Sequence, residues 1–243
     1  MSKNEIIVSG YKGKFQHFFS NSNKKSVLYF QISQKMKNGK YENHECVAFG
    51  EMAEKIEAIP QGTGMKITGY LSSRMVEKDG VKNKDVKVSV ISYDTEAKFT
   101  SGASLSGKKG KYQNYFSGDG KTSVLYFQVV QVTKNGFQNH DCVAFGNTAD
   151  TLQSVEAGTV INISGYLSSR MVEKNGSKKK DTKVIANTFT LGAETTTTVS
   201  DTSDTPDTPD TPDTPDTTES EDYYTSADDD FVDVDEDFEL PFN

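Results

Sequence analysis

The sequence predicts an all-β protein made of two tandem five-stranded barrels, each with one short helix, followed by a disordered acidic C-terminal tail. Three observations carry this reading: an internal duplication, short alternating apolar runs broken by Asn-Gly and Asp-Gly turns, and a change of composition at Ala193.

The duplication comes first, because a repeat decides how every other pattern is parsed. Residues 12–16 (KGKFQ) return as 109–113 (KGKYQ), and residues 26–31 (SVLYFQ) return unchanged as 123–128, at an offset of 97. One residue is lost at the turns Asn38-Gly39 and Asn135-Gly136. Residues 44–50 (HECVAFG) then return as 140–146 (HDCVAFG), and residues 69–78 (GYLSSRMVEK) return letter for letter as 165–174, at an offset of 96.

Within each copy the apolar residues alternate: Leu28, Phe30 and Ile32; Cys46 and Ala48 against Val47 and Phe49; Met65 and Ile67; Val86, Val88 and Val90. Period-two runs separated by turn dipeptides mean strands and hairpins. Residues 51–59 differ, with Ala53, Ile56 and Ile59 at helical spacing before Pro60, Gly62 and Gly64; the twin helix spans 147–155. Three strands, a short helix and a long hairpin form the order of the five-stranded OB barrel, which other small β-barrels share. The boundaries expected are 1–97 for barrel 1, 98–105 for a linker and 106–192 for barrel 2.

From Ala193 the chain becomes a Thr run, then an Asp-Thr-Pro repeat over 204–217, then an acidic stretch. With few aliphatic residues and high negative charge, 193–227 is expected to be a disordered spacer. The tip, 228–243, interleaves acids with Phe231, Val232, Val234, Phe238, Leu240, Pro241 and Phe242, which makes it adhesive as well as charged.

Charge is divided the same way. Residues 1–192 hold all 27 Lys and Arg against 17 Asp and Glu, a balance of +10, and the remaining 18 acids lie in the tail, so the net −8 conceals a basic body. A basic body suits a polyanionic partner or a plain solvated surface. No apolar run is long enough to span a membrane and no apolar signal core opens the chain, so no membrane partner and a cytoplasmic, nucleoid-associated location are expected. Cys46 and Cys142 occupy twin inward positions and read as free buried thiols, and no metal or cofactor is expected.

Several of these segments resemble the bacterial single-stranded-DNA-binding protein family. The second strand at residues 27–33, the Phe49-Gly50 step before the helix, and the hairpin start Gly69-Tyr70-Leu71-Ser72-Ser73-Arg74 are similar to family motifs, and each occurs twice. Asp235-Glu236-Asp237 followed by Leu240-Pro241-Phe242 resembles the family's acidic docking tip. The resemblance implies binding and protection of single-stranded DNA during replication, recombination or repair, with no catalysis. It also implies a homodimer presenting four OB folds, and recruitment of replication, recombination or repair proteins by Asp235, Glu236, Asp237, Phe238, Leu240, Pro241 and Phe242. Two departures stand out. The chain has no Trp, with family stacking positions kept at Phe49 and Phe145 but falling on Asn43, Asn139, Val76 and Val172, and it ends one residue past the tip Phe, at Asn243.

Sequence-tolerant binding of a single strand needs cations for phosphates and flat rings for bases. If Leu28, Phe30 and Ile32 point inward, Tyr29 and its twin Tyr126 point outward, as do Phe49 and Phe145. Those rings are a stacking platform or, for Phe49 and Phe145, packing under a loop or subunit. The only arginines, Arg74 and Arg170, are twins; a guanidinium there binds phosphate or stacks on a base, or else forms a structural ion pair. The hairpins beyond supply Lys78, Lys82, Lys84 and Lys87, matched by Lys174, Lys178, Lys179, Lys180 and Lys183, as groove-extending cations. His44 and His140 read as core or interface residues. The competing class is an OB-fold interaction or assembly factor whose acidic tail mimics nucleic acid; RNA is a third possibility for the same platform.

Overall fold

The computed structural model of the protein describes residues 3–19, 25–36, 38–78, 81–118, 120–133, 136–174 and 177–192. The expected spacer at 193–227 and docking tip at 228–243 lie outside the described residues.

Barrel 1 comprises β1 (Asn4–Phe19), β2 (Ser26–Lys35), β3 (Tyr41–Phe49), α1 (Glu51–Glu57), β4 (Gly64–Lys78) and β5 (Val81–Asp94). Barrel 2 repeats the order as β6 (Gly102–Phe116), β7 (Ser123–Thr133), β8 (Gly136–Phe145), α2 (Gly146–Gln153), β9 (Val160–Lys174) and β10 (Ser177–Leu191). In barrel 1, β2 pairs with β1 and β3, and β4 with β1 and β5, all antiparallel. The parallel pairing of β3 with β5 closes the ring. Barrel 2 closes in the same way through β8 and β10. This is the expected OB topology, twice.

Alternation decides what fills each barrel. Leu28, Phe30, Ile32, Cys46, Ala48, Met65, Ile67, Leu71 and Val88 are buried, and Ala53 and Ile56 of α1 plug the end. Their twins, including Leu125, Phe127, Val129, Cys142, Ile161, Ile163, Ala149 and Leu152, do the same in barrel 2. Each large aliphatic chain so buried contributes about 1.5–3 kcal/mol. Both cysteines are free thiols, and burial pushes them well above their ordinary range.

Two glycine pairs are required by the backbone. Gly50 and Gly146, at the turn from strand to helix, have φ of 59° and 53°, a region costly for other L-residues. Gly69 and Gly165 sit where β4 and β9 cross their neighbours. A Cβ there would lie 2.2 Å from the Ser89 carbonyl oxygen and 1.7 Å from that of Ile185.

The barrels are joined edge to edge. Residues Asn4, Glu5, Ile6 and Ile7 of β1 pair antiparallel with Leu105, Ser104, Ala103 and Gly102 of β6. Ile6 thus faces Ala103, its own twin, and an approximate twofold axis runs through that pair. Strand β6 begins at Gly102, within the 98–105 segment expected to be linker, because Ala103 and Leu105 are drawn into the core and the ladder. The connection is therefore only residues 95–101. No helix among the described residues is long and apolar enough to cross a membrane.

Around the axis a polar seam ties barrel to barrel. Asn4 donates to the Leu71 carbonyl at 2.9 Å and to Gln131 Oε1 at 3.0 Å, and accepts from the Leu71 N–H at 2.9 Å. Glu42 accepts from the Ser169 N–H and the Ser168 hydroxyl, both at 3.1 Å. His44 lies in this seam, its Nδ1 3.1 Å from Ser169 Oγ and its Nε2 3.0 Å from Gln34 Oε1. His140 Nε2 is 2.9 Å from Gln131 Oε1, and its Nδ1 is buried with no partner. His44 is thus a hydrogen-bonded residue of the seam, and His140 a buried one.

Burial, with Lys180 beside His44 and Lys84 beside His140, pushes both imidazoles down to about 4 from an ordinary 6.5. The folded state holds neutral rings while the unfolded chain protonates, so this stability is complete above 6.5 and is lost as pH falls toward 4. Between pH 7 and pH 5 each ring should cost the fold about 2 kcal/mol. Urea unfolding at the two pH values, compared with a His44→Gln and His140→Gln double variant that lacks this component, checks it.

Candidate nucleic-acid interface

Because Leu28, Cys46, Val88 and Leu71 point inward, the outer face of β2, β3, β5 and β4 presents Tyr29, Glu45, Lys87 and Arg74 side by side. Arg74 donates from Nε to Asp85 at 3.2 Å and is also hydrogen-bonded to Tyr29. Lys87 pairs with Asp85, lies 3.5 Å from Glu45, and stands 5.5 Å from the centre of the Tyr29 ring. Barrel 2 rebuilds the cluster. Arg170 sits 3.6 Å from Asp181 and is hydrogen-bonded to Tyr126, while Lys183 pairs with Asp181 at 3.0 Å and lies 4.8 Å from the Tyr126 ring.

The aspartate partners do not remove the arginines from reach. Arg74 keeps 64% of its side chain exposed and Arg170 keeps 42%. Each arginine is ion-paired, and each still presents guanidinium to solvent. Surface pairs of this kind contribute at most about 1 kcal/mol, which a phosphate can replace.

Strand β1 supplies aromatics that the strand-parity reading missed. Phe15, Phe18 and Phe19 of β1 are exposed, and Phe18 meets the Tyr29 ring edge-on at 5.9 Å. In barrel 2 the same places hold Tyr112, Tyr115 and Phe116, and Tyr115 meets Tyr126 edge-on at 5.7 Å. Their signal was present in the duplication, as KGKFQHFF against KGKYQNYF. In barrel 1 these elements line an open groove of about 730 Å³ bounded by Lys14, Phe15, Phe18, Tyr29, Arg74 and Lys87. Phe49 is 52% exposed at the far end of β3, whereas Phe145 is half-buried, and Tyr126, at 8%, is far more covered than Tyr29.

Not every cation belongs to this face. Lys12 and Lys109, counted in the basic body, are 1% exposed. Lys12 Nζ donates to the carbonyls of Ile56 (2.7 Å), Glu57 (3.0 Å) and Ile59 (2.5 Å) at the end of α1. Lys109 Nζ donates to those of Leu152 (2.7 Å) and Val155 beyond α2. Desolvation holds both ammonium groups below the ordinary lysine range, and the rings of Phe15 and Tyr112 lie over them at 4.3 and 3.9 Å. Each lysine caps a helix C-terminus, where cations are favoured, and anchors the aromatic strand to the helix.

Lys84 and Lys180, expected as groove-extending cations, each reach across the seam to a carboxylate of the other barrel. Lys84 Nζ lies 2.6 Å from Asp141 of barrel 2, and Lys180 Nζ lies 3.2 Å from Glu45 of barrel 1. The side chains of Lys78, Lys82, Lys174 and Lys178 lie outside the described residues, as do Asp235, Glu236, Asp237, Phe238, Leu240, Pro241 and Phe242.

Removing the lysine caps isolates their contribution from the groove. Lys12→Ala takes the ammonium from three buried carbonyls, of which Ile56 keeps the Ile59 N–H, and leaves a void where the stem lay; it should destabilise barrel 1 by about 2–4 kcal/mol in urea unfolding.

No family model and no curated protein matches the sequence. Solved structures share its fold, among them two of one protein. The crystal structure of wild-type single-stranded DNA binding protein from Thermus aquaticus aligns with a TM-score of 0.64 and 16% identity, covering 79% of this chain and 94% of that one. A deletion mutant of the same Thermus aquaticus protein aligns with a TM-score of 0.64 and 17% identity, covering 79% and 96%.

Proposed function

We propose that this chain binds single-stranded DNA with little sequence preference, using the outer faces of both barrels. The observation that carries the proposal is the twinned cluster of Tyr29, Arg74 and Lys87 with Phe15 and Phe18, and of Tyr126, Arg170 and Lys183 with Tyr112 and Tyr115. Rings and cations stand side by side there, the pair of groups that bases and phosphates call for. Shared fold with a protein whose name is single-stranded DNA binding supports the same reading.

Stacking on aromatic side chains is worth about 1–3 kcal/mol per base and tolerates any sequence, because every base has a π-face. The arginines add phosphate contacts that make affinity fall with salt. Tyrosine and phenylalanine thus replace the missing tryptophan by number. Strand β1 and its twin β6 contribute Phe15, Phe18, Tyr112 and Tyr115 beside Tyr29 and Tyr126.

The tail extends the function. Residues 193–243 carry −18 on a tether to a basic body, so they compete with DNA for the grooves and are displaced by it. The tip then offers Phe238, Leu240, Pro241 and Phe242, among Asp235, Glu236 and Asp237, to replication, recombination or repair proteins.

Fluorescence titration with oligo-dT tests this directly. The intact chain should bind, deletion of residues 193–243 should tighten binding at low salt, and Arg74→Ala with Arg170→Ala should weaken it while flattening its salt dependence. Absence of oligo-dT binding in the tail-deleted chain at low salt would overturn the reading in favour of a protein-binding module.

Assembly as a homodimer presenting four barrels is part of the same proposal. Where β1 joins β4 and β6 joins β9, Ile7, Tyr70 and Tyr166 are partly exposed, a surface for a second copy. Mass measurement in solution should give twice the 26.8 kDa of one chain, and Tyr70→Glu with Tyr166→Glu should return it to the monomer value.

A further inference from the structure

Strand alternation separates the cations of each hairpin onto two faces. On β5, Asp85 and Lys87 share the outer face with Arg74, while Lys84 has the parity of Val86 and Val88, which point into barrel 1. Beyond the barrel rim that inner face has no core to cover. It turns toward barrel 2, and Lys84 reaches Asp141 at 2.6 Å. On β10, Asp181 and Lys183 share the outer face with Arg170, while Lys180 has the parity of Thr182 and Val184 and reaches Glu45 of barrel 1 at 3.2 Å.

Glu45 and Asp141 are not bystanders. Glu45 lines the groove of barrel 1, and Asp141 is its twin in barrel 2. A carboxylate in a phosphate-binding groove repels the ligand unless it is neutralised. Glu45 is met by one lysine from each barrel, Lys87 at 3.5 Å and Lys180 at 3.2 Å. Asp141 is met by Lys84 and by Gln128 Nε2 at 3.0 Å. Lys84 and Lys180 keep 27% and 21% of their side chains exposed, enough for an ammonium to face a phosphate as well as its carboxylate.

We propose that the two grooves are composite: the β9–β10 hairpin of barrel 2 supplies Lys180 to the groove of barrel 1, and the β4–β5 hairpin of barrel 1 supplies Lys84 to the groove of barrel 2. A single strand leaving one groove over β3 or β8 meets a cation of the other barrel, so its path crosses the seam. The inference rests on the nucleic-acid reading given above, but it assigns these two lysines opposite to their position in the chain. Glu45 and Asp141 act as electrostatic brakes that the crossing lysines release.

The test uses the full chain and oligo-dT in two backgrounds. Tyr126→Ala with Arg170→Ala disables the groove of barrel 2, and Tyr29→Ala with Arg74→Ala disables that of barrel 1. In the first background Lys180→Ala should weaken binding about five- to tenfold and lower the salt slope by about one, and Lys84→Ala should change little. In the second background the two effects should exchange. A Lys180 effect confined to the background that retains groove 2 would overturn the proposal.

Glu45→Gln separates a phosphate role from a merely structural pair, and it does not require the lysine variants to fold. It should tighten binding severalfold in the first background, with unfolding midpoints measured in parallel; unchanged or weaker binding would overturn the proposal. If neither background nor the parent chain binds oligo-dT, the nucleic-acid reading itself fails, an outcome distinct from bound DNA with uncrossed lysines.

Discussion

The antiparallel pairing of β1 with β6 at the Ile6–Ala103 pair holds the rest of the molecule in place. Four residues on each side extend two closed barrels into one ten-stranded sheet. Because the pairing is antiparallel and centred on twin residues, it imposes an approximate twofold axis on a single chain, the same geometry that an isologous dimer has between chains. Every contact across the seam then tends to occur twice. Glu45 with Lys180 and Asp141 with Lys84 are one contact repeated.

Where the symmetry breaks, it breaks by substitution at single positions. Glu42 grips Ser168 and Ser169, but its twin is Gln138. His44 finds Ser169, while His140 Nδ1 is left without a partner and Ser73, the twin of Ser169, donates instead to the Asn139 carbonyl at 3.5 Å. The outer faces diverge too: Phe15, Phe18 and a half-buried Tyr29 in barrel 1, Tyr112, Tyr115 and a buried Tyr126 in barrel 2. Two copies constrained by one axis have drifted into unequal surfaces without losing the seam.

The buried lysines link fold to interface. Lys12 and Lys109 spend their charge on the last carbonyls of α1 and α2, and in doing so lay Phe15 and Tyr112 along the groove edge. Helix termini need donors or cations wherever they are buried. Here the residue that satisfies them lies at the start of the aromatic strand, so the capping interaction and the presentation of rings are a single arrangement.

Much of this was legible in the order of residues. Duplication showed two domains, and period-two alternation showed five strands and which side of each faces the core, because side-chain direction in a strand is a local property. It gave Tyr29, Phe49 and Arg74 outward parity, but did not show that the twin Tyr126 would be covered, which the packing of Tyr115, Arg170 and Lys183 around it decides. Local rules could not tell which barrel a lysine serves, since Lys84 and Lys180 lie on hairpin faces whose neighbour comes from the other half of the chain. Nor could they show that Lys12 and Lys109 are interior, because their partners are carbonyls 44 and 43 residues away. Sequence alone determined strands, faces and the basic body; only the pairing of β1 with β6 decided which charges meet, because that contact joins residues almost 100 positions apart.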